Sequence, residues 1–382
     1  MMTDVNIVVI GASFAGIPIA HSLLKSIPSI HLTLVNPSPT FYFPLAAPRI
    51  LAKPTAFRPD QYLIPIEDAF SQYAPNTFTF IKGKATSMDA KGKTVTIDDQ
   101  KVIPFDYLVI ASGSTTESTT TKESTPIPFK QSNCDNMGSL ITDAQNKISN
   151  ASKIVIGGAG PIGVELAGEL AENAENLRRA VSITLISATD RVLPMLKPSG
   201  SEAALNPLRR KNVTVRTSRK VTGTCQIAGS ESWEVTLDNG ERLEADMYIS
   251  ATGVIPNNNF IPRQFLDEQG WVKLDKELRI FGHPEEPPLP IFAAGDITAH
   301  SMRMSFKAQE QAAVVADNIT AEILGQTTRR SYDQGTGVLM LVPVGSCGGT
   351  GQLFGFTPWS VMVWLIKGRD FFISKARSAV YA

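Results

Sequence analysis

The sequence predicts an α/β protein of two parallel-sheet units, each begun by a strand–loop–helix repeat, followed by a small C-terminal α+β unit. Two observations carry this. A glycine-spaced loop occurs twice, each time between an apolar strand and an apolar helix, and the elements after each copy recur in the same order. The first loop is Gly11-Ala12-Ser13-Phe14-Ala15-Gly16, after the apolar residues 5–10. The second is Gly158-Ala159-Gly160-Pro161-Ile162-Gly163, after residues 153–156.

The spacing has a physical meaning. The first glycine allows a tight turn out of the strand, the second lets backbone approach a pyrophosphate, and the third lets the helix pack against the strand. Free amides and the positive end of the helix dipole then hold the phosphates. Two Rossmann-like copies predict two adenine dinucleotides facing each other, the layout of a flavoprotein reduced by a nicotinamide. The expected cofactors are FAD and NADH or NADPH. Gly11, Ser13, Phe14, Ala15 and Gly16 are expected at the FAD, and Gly158, Gly160, Pro161, Ile162 and Gly163 at the nicotinamide nucleotide. Ser13 stands where a middle glycine is usual, and is small enough for the backbone approach to survive.

The repeat extends beyond the loops. Residues 77–97 and 213–237 each read as a meander of short alternating strands and turns. Each then closes on an acidic-capped strand ending in glycine, at residues 106–113 and 246–253. That places Ala111, Ser112 and Gly113, and in the second copy Thr252 and Gly253, beside their nucleotides. Residues 1–115 and 255–330 are assigned to the FAD-binding domain, 130–254 to the NAD(P)H-binding domain and 331–382 to the C-terminal unit. The polar run at 112–126 reads as a solvated interdomain crossing in preference to a regulatory phosphorylation segment.

Composition narrows the class. The 382 residues carry 36 cationic and 36 acidic side chains, so no basic excess points to nucleic acid. The first strand begins within five residues of Met1 and no myristoylation glycine follows it, so no targeting leader is expected. No apolar span approaches the ~20 residues that cross a bilayer. A cytoplasmic protein is expected, with no metal site and as a monomer or weak homodimer.

The third element of the flavin case is Gly295-Asp296 at the end of a short apolar strand, before an amphipathic helix over residues 305–324. It resembles the pyridine-nucleotide-dependent flavin reductases, in which such a carboxylate meets the ribityl–phosphate region. The resemblance implies that Gly295 and Asp296 bind FAD and that the helix start, with Phe306, faces the isoalloxazine. Disulfide reductases of this architecture carry a Cys-x4-Cys pair where residues 43–51 stand here, and that stretch has no thiol. The three cysteines, Cys134, Cys225 and Cys347, lie far apart. Cys347 reads as a small residue in a glycine-rich turn in preference to a redox thiol.

Residues 338–374, with Lys367-Gly368-Arg369-Asp370-Phe371-Phe372, complete a likeness that covers the whole chain in order. The chain resembles the apoptosis-inducing-factor-like, mitochondrion-associated family that includes the ferroptosis-suppressor NAD(P)H:quinone oxidoreductases, a glutathione-reductase-like fold without the redox dithiol. The resemblance implies hydride transfer from NAD(P)H to flavin and electron transfer to a quinone-like acceptor. A dioxygen-using oxidase of a secondary-metabolite pathway and an NADH-sensing signalling flavoprotein are the alternatives. It also implies that Glu165 lies near the flavin with a cation from the first domain, Arg49 or Lys53, and Arg49 is preferred. Arg303 and Lys307, at the start of the helix, are expected to stabilise negative charge on the reduced flavin. The relatives' Pro-Lys-Met is here Met302-Arg303-Met304, and arginine keeps the charge without the geometry of lysine.

Two strand ends depart from the usual acidic residue. Asn36 is expected to hydrogen-bond the FAD ribose without charge assistance. Ser187 brings no carboxylate to repel a 2′-phosphate and Arg191 is close by, which leaves NADPH open. Residues 359–366 are apolar and flanked by Lys367 and Arg369. They read either as an interfacial element contacting a membrane such as the mitochondrial surface, or as a short buried element closing over the flavin. Burial is preferred, because one short stretch anchors weakly.

Overall fold

The structure is a computed structural model that describes residues 5–120, 123–281, 287–299, 301–346 and 348–381. Cys347 and the first four residues, the segment read for a leader, lie outside the described residues.

Apolar β-branched residues form strands buried on both faces, as a parallel sheet between helices requires. In the first unit the strand order is Ile291–Ala293, Tyr107–Ile110, Val5–Ile10, Ile30–Asn36, Phe78–Lys82, all parallel. In the second it is Val213–Arg216, Ser182–Ile186, Lys153–Gly157, Met247–Ser250, again parallel. The expected repeat is thus present, with one correction. Phe78–Lys82 and Val213–Arg216, expected as meander strands, are each an edge strand of the main sheet. The meanders are Ala85–Asp89, Thr94–Ile97 and Lys101–Pro104 in one unit and Val221–Gln226, Trp233–Leu237 and Arg242–Ala245 in the other.

Both glycine loops show why their glycines are needed. Gly11 and Gly158 take φ of +103° and +108°, the left-handed region that glycine favours. A Cβ on Gly16 would stand 1.8 Å from the Gly11 carbonyl oxygen, and one on Gly163 would stand 1.9 Å from that of Gly158. Neither helix could then pack onto its strand.

Most of the described part of the polar crossing is buried, where a solvated crossing is expected, with Glu117 and Glu123 exposed. Ser114–Thr115 pairs antiparallel with Ile255–Pro256, and Thr116, Ser118, Ser124 and Thr125 are buried. Ser118 Oγ donates to the Ile127 carbonyl at 2.7 Å. The two chain crossings between units therefore form one small ribbon.

The C-terminal unit is an antiparallel pair, Met340–Pro343 with Gly349–Gln352, followed by short helical turns. Its end returns to the first unit. Buried His21 stacks on Phe70 and donates from Nε2 to the Val380 carbonyl at 2.9 Å.

Candidate active site

A cavity of about 1050 Å³ runs between the two glycine loops and the C-terminal unit. That is at the upper end of the ~300–1,000 Å³ usual for small-molecule sites, and fits an extended dinucleotide. Ser13, Phe14, Ala15, Asn36, Ala111, Ser112, Gly113, Gly295, Asp296 and Phe306 line it from the first unit. Gly160, Pro161, Ile162, Glu165 and Gly253 line it from the second. At Gly113, Gly160 and Gly253 an added Cβ would meet nothing within 4 Å, so open space stands over these backbones, as a cofactor lying against them requires. Gly11, Gly16, Gly158 and Gly163 shape the loops instead, with Gly11 alone among them reaching the cavity wall.

The first strand end is more constrained than expected. Asn36 Oδ1 accepts from the Ala12 amide at 3.0 Å, and its Nδ2 donates to the Ser38 carbonyl at 2.8 Å. The amide uses both its ends to brace the loop, which explains asparagine here. A carboxylate could accept from Ala12 but could not donate to Ser38.

Asp296 stands at the cavity wall with Ser114 Oγ at 3.1 Å and an ion pair to Lys130. Lys130 also lines the cavity, and its ammonium donates to Ser114 Oγ at 2.6 Å. Nothing in the sequence singles it out: it is a lone cation in an irregular segment, without a motif. Together these residues would hold the polar ribityl–phosphate portion of a flavin dinucleotide.

The carboxylate–cation pairing expected at Glu165 is present with different partners. Glu165 is buried, and Lys367 of the C-terminal unit donates to its Oε1 at 2.5 Å. Burial raises the Glu165 carboxyl above its ordinary range, against the pull of Lys367. Arg49 instead forks onto Glu169, with Nε and Nη2 each at 2.9 Å, and its third arm donates to the Arg369 carbonyl at 3.0 Å. Lys53 bridges Glu169, at 2.8 Å, and Glu172. Neither Arg49 nor Lys53 lines the cavity, although Pro48 does. The reason is helical spacing. Glu165, Glu169 and Glu172 share one face of the helix Pro161–Asn176. The helix Ala47–Ala52 packs beside the later turns, so its cations meet the later carboxylates.

Glu172 is the junction of all three units. Lys53 reaches it from the first, Lys211 at 3.0 Å from the second, and the Ser346 amide and hydroxyl, each at 3.0 Å to Oε1, from the third. Burial alone would raise this carboxyl, yet the hydrogen bonds from Lys53, Ser346 and Lys211 hold it at about 2.

Of the two cations expected at the helix Ser305–Ile323, one faces the cavity. Arg303 lines it, with φ of +55° and its guanidinium 3.9 Å over the Trp271 ring. Lys307 does not line it. Its ammonium lies 2.8 Å from Glu310, one turn along, a correction to its expected place at the flavin. Ser187, Arg191 and Thr252 also lie outside the cavity wall. Ser187 is buried at the end of its strand, with Arg191 held by its loop.

The C-terminal side of the cavity is apolar: Leu339, Met340, Leu341, Leu353, Ile366 and Phe372. The preferred burial of residues 359–366 does not hold. Trp359 is 79% exposed and Phe354 and Phe356 are 88% and 78% exposed, with Val361 and Leu365 also exposed. Val363 faces inward against the hairpin, and the short helical turn has too little second face to hide the rest. Among the described residues no helix is long and apolar enough to cross a membrane, and no group of His, Cys, Asp and Glu could hold a metal ion.

The pyridine nucleotide-disulphide oxidoreductase family model matches residues 5–313, which contain both glycine loops and Gly295-Asp296. The chain belongs to that family. It is an NAD(P)H-dependent flavin oxidoreductase, with FAD and NAD(P)H as its cofactors. The oxidoreductase ptaL of Pestalotiopsis fici is 34% identical over 360 residues, covering 92% of each chain. Ferroptosis suppressor protein 1 of Xenopus tropicalis is 26% identical, covering 98% of this chain and 95% of its own. Among solved structures, the sulfide:quinone oxidoreductase of Aquifex aeolicus superposes with a TM-score of 0.79 at 19% identity, over 99% of this chain and 92% of that one.

The bound flavin supplies the hydride and electron chemistry, and the chain supplies position and charge. Both glycine loops contribute to the wall of one cavity, so nucleotides held at each would share it. Glu165 and Lys367 put a buried, hydrogen-bonded charge pair at its wall, beside the apolar side chains of the C-terminal unit.

Proposed function

We propose that this chain passes electrons from NAD(P)H, by way of its flavin, to a planar apolar acceptor of the quinone class, as a ferroptosis-suppressor-type member of its family. The observation that carries this is the C-terminal side of the cavity. Its wall of Leu341, Leu353, Ile366 and Phe372 runs out to the exposed Phe354, Phe356, Trp359 and Leu365. An apolar approach of this kind fits an acceptor with an apolar ring and tail better than a hydrophilic one. It also suits peripheral contact with the membrane in which such acceptors dissolve.

The oxidative half-reaction tests the proposal. Anaerobically reduced protein is mixed with quinones of rising tail length, and separately with dioxygen, while flavin absorbance is followed. Reoxidation that quickens with apolar quinones and outruns dioxygen supports the proposal. Fast reoxidation by dioxygen with indifference to quinones supports the oxidase alternative, and slow reoxidation by every acceptor supports the signalling alternative.

A further inference from the structure

The two sheets carry the same loop, and one hydrogen bond aligns them. The Gly11 amide donates to the Val35 carbonyl at 2.8 Å, and the Gly158 amide donates to that of Ile186 at 2.9 Å. Val35 and Ile186 are therefore equivalent, and so are Asn36 and Ser187, the next residue in each. This is the position at which a carboxylate takes both ribose hydroxyls of an unphosphorylated nucleotide and repels a 2′-phosphate. Here it is a small hydroxyl.

Around Ser187 two loops are joined backbone to backbone. The Ser187 amide donates to the Arg216 carbonyl at 2.8 Å, the Arg219 amide to the Ser187 carbonyl at 3.0 Å, and the Ser218 amide to the Thr189 carbonyl at 2.8 Å. Ser187 Oγ and Thr189 Oγ1 both donate to the Arg191 carbonyl at 2.8 Å, which fixes where that arginine leaves the loop. Three guanidinium groups thus arise within a few residues of one buried serine. Two carboxylates compete for them. Glu241 engages Arg216 at 2.5 Å, whereas Asp190 is 76% exposed at its side chain and 3.5 Å from Arg191. Arg191 Nη2 donates to the Pro194 carbonyl at 3.2 Å, while its buried Nε has no hydrogen-bond partner. Arg219 donates from Nη1 to the Ser218 carbonyl. Planar guanidinium groups suit phosphate oxygens in pairs.

We infer that the second unit selects NADPH over NADH, with Arg191 and Arg219 receiving the 2′-phosphate of its adenosine ribose and Ser187, small and uncharged, leaving no carboxylate to repel it. This deepens the NAD(P)H-dependent reading and does not depend on the acceptor. The test is calorimetric titration of the FAD-loaded protein with adenosine 2′,5′-bisphosphate and with 5′-AMP, neither of which can reduce the flavin. The bisphosphate binds about ten- to a hundredfold more tightly, the scale of one or two charge-assisted hydrogen bonds. Arg219→Ala, at a part-exposed site, removes much of that difference and leaves 5′-AMP binding as it was. Ser187→Asp reverses the preference. Equal affinities, tighter 5′-AMP, or a bisphosphate preference that survives Arg191→Ala and Arg219→Ala together overturns the inference. Quinone reoxidation, measured on dithionite-reduced protein, passes or fails separately.

Discussion

Replacing Glu172 by glutamine tests how the three units are held around the cavity. The variant keeps the shape and most hydrogen bonds of the side chain and removes the charge that Lys53, Lys211 and the Ser346 amide share. The carboxyl is held at about 2 against an ordinary 4.5. At about 1.36 kcal/mol per unit, that difference contributes about 3 kcal/mol at neutral pH. Unfolding entropy of about 2.1 cal/mol/K per residue gives about 0.8 kcal/mol/K for a chain of this length, so Tm should fall by about 4 °C. The pH dependence sharpens the test. Because the folded-state value is depressed, the contribution is complete above 4.5 and fades as the pH falls toward 2. By about pH 3 less than half of it remains. Differential scanning calorimetry of parent and Glu172→Gln from neutral pH to about pH 3 should show a gap that narrows. Equal Tm values at neutral pH, or a gap that does not narrow with acid, would mean that the Glu172 charge does not hold the units together.

Other substitutions probe the site itself. Gly163→Ala puts a methyl group against the Gly158 carbonyl; the protein should stay yellow yet lose reduction by NAD(P)H, as anaerobic absorbance will report. Lys367→Met leaves Glu165 buried without its cation. Breaking such a pair costs about 3–5 kcal/mol, and the pH profile of flavin reduction should shift, which stopped flow at several pH values measures. Lys130→Ala removes the partner of Asp296 and should weaken FAD retention about tenfold, read by fluorescence of released flavin. Phe356→Ser with Trp359→Ser should leave reduction by NAD(P)H unchanged while raising KM for long-tailed quinones, with little effect on water-soluble ones.

Much of the fold is legible in the sequence because its signals are local. The glycine loops report a clash between backbone atoms five residues apart, and the Gly295-Asp296 strand end and the helix after it stand where expected, the helix as Ser305–Ile323. Pairings that depend on packing are not legible. Lys367 lies 202 positions from Glu165, so no spacing rule connects them. The expected pairing gives Arg49 the wrong glutamate because the offset between two packed helices is not written in either one. The exposure of Trp359 shows the same limit from the other side. An apolar run predicts burial only if the fold supplies a second surface, and here the hairpin covers just the Val363 side.

In the proposed cycle a nicotinamide nucleotide reduces the bound flavin and an apolar quinone takes the electrons. Anaerobic double-mixing stopped flow examines both halves in one trace. NADPH or NADH is added to the yellow protein and a long-tailed quinone follows. Rapid bleaching is expected, then recovery of the oxidised spectrum with one quinol formed per nucleotide consumed. A flavin that neither nucleotide bleaches, or one that bleaches and then ignores every quinone, would overturn the proposed cycle.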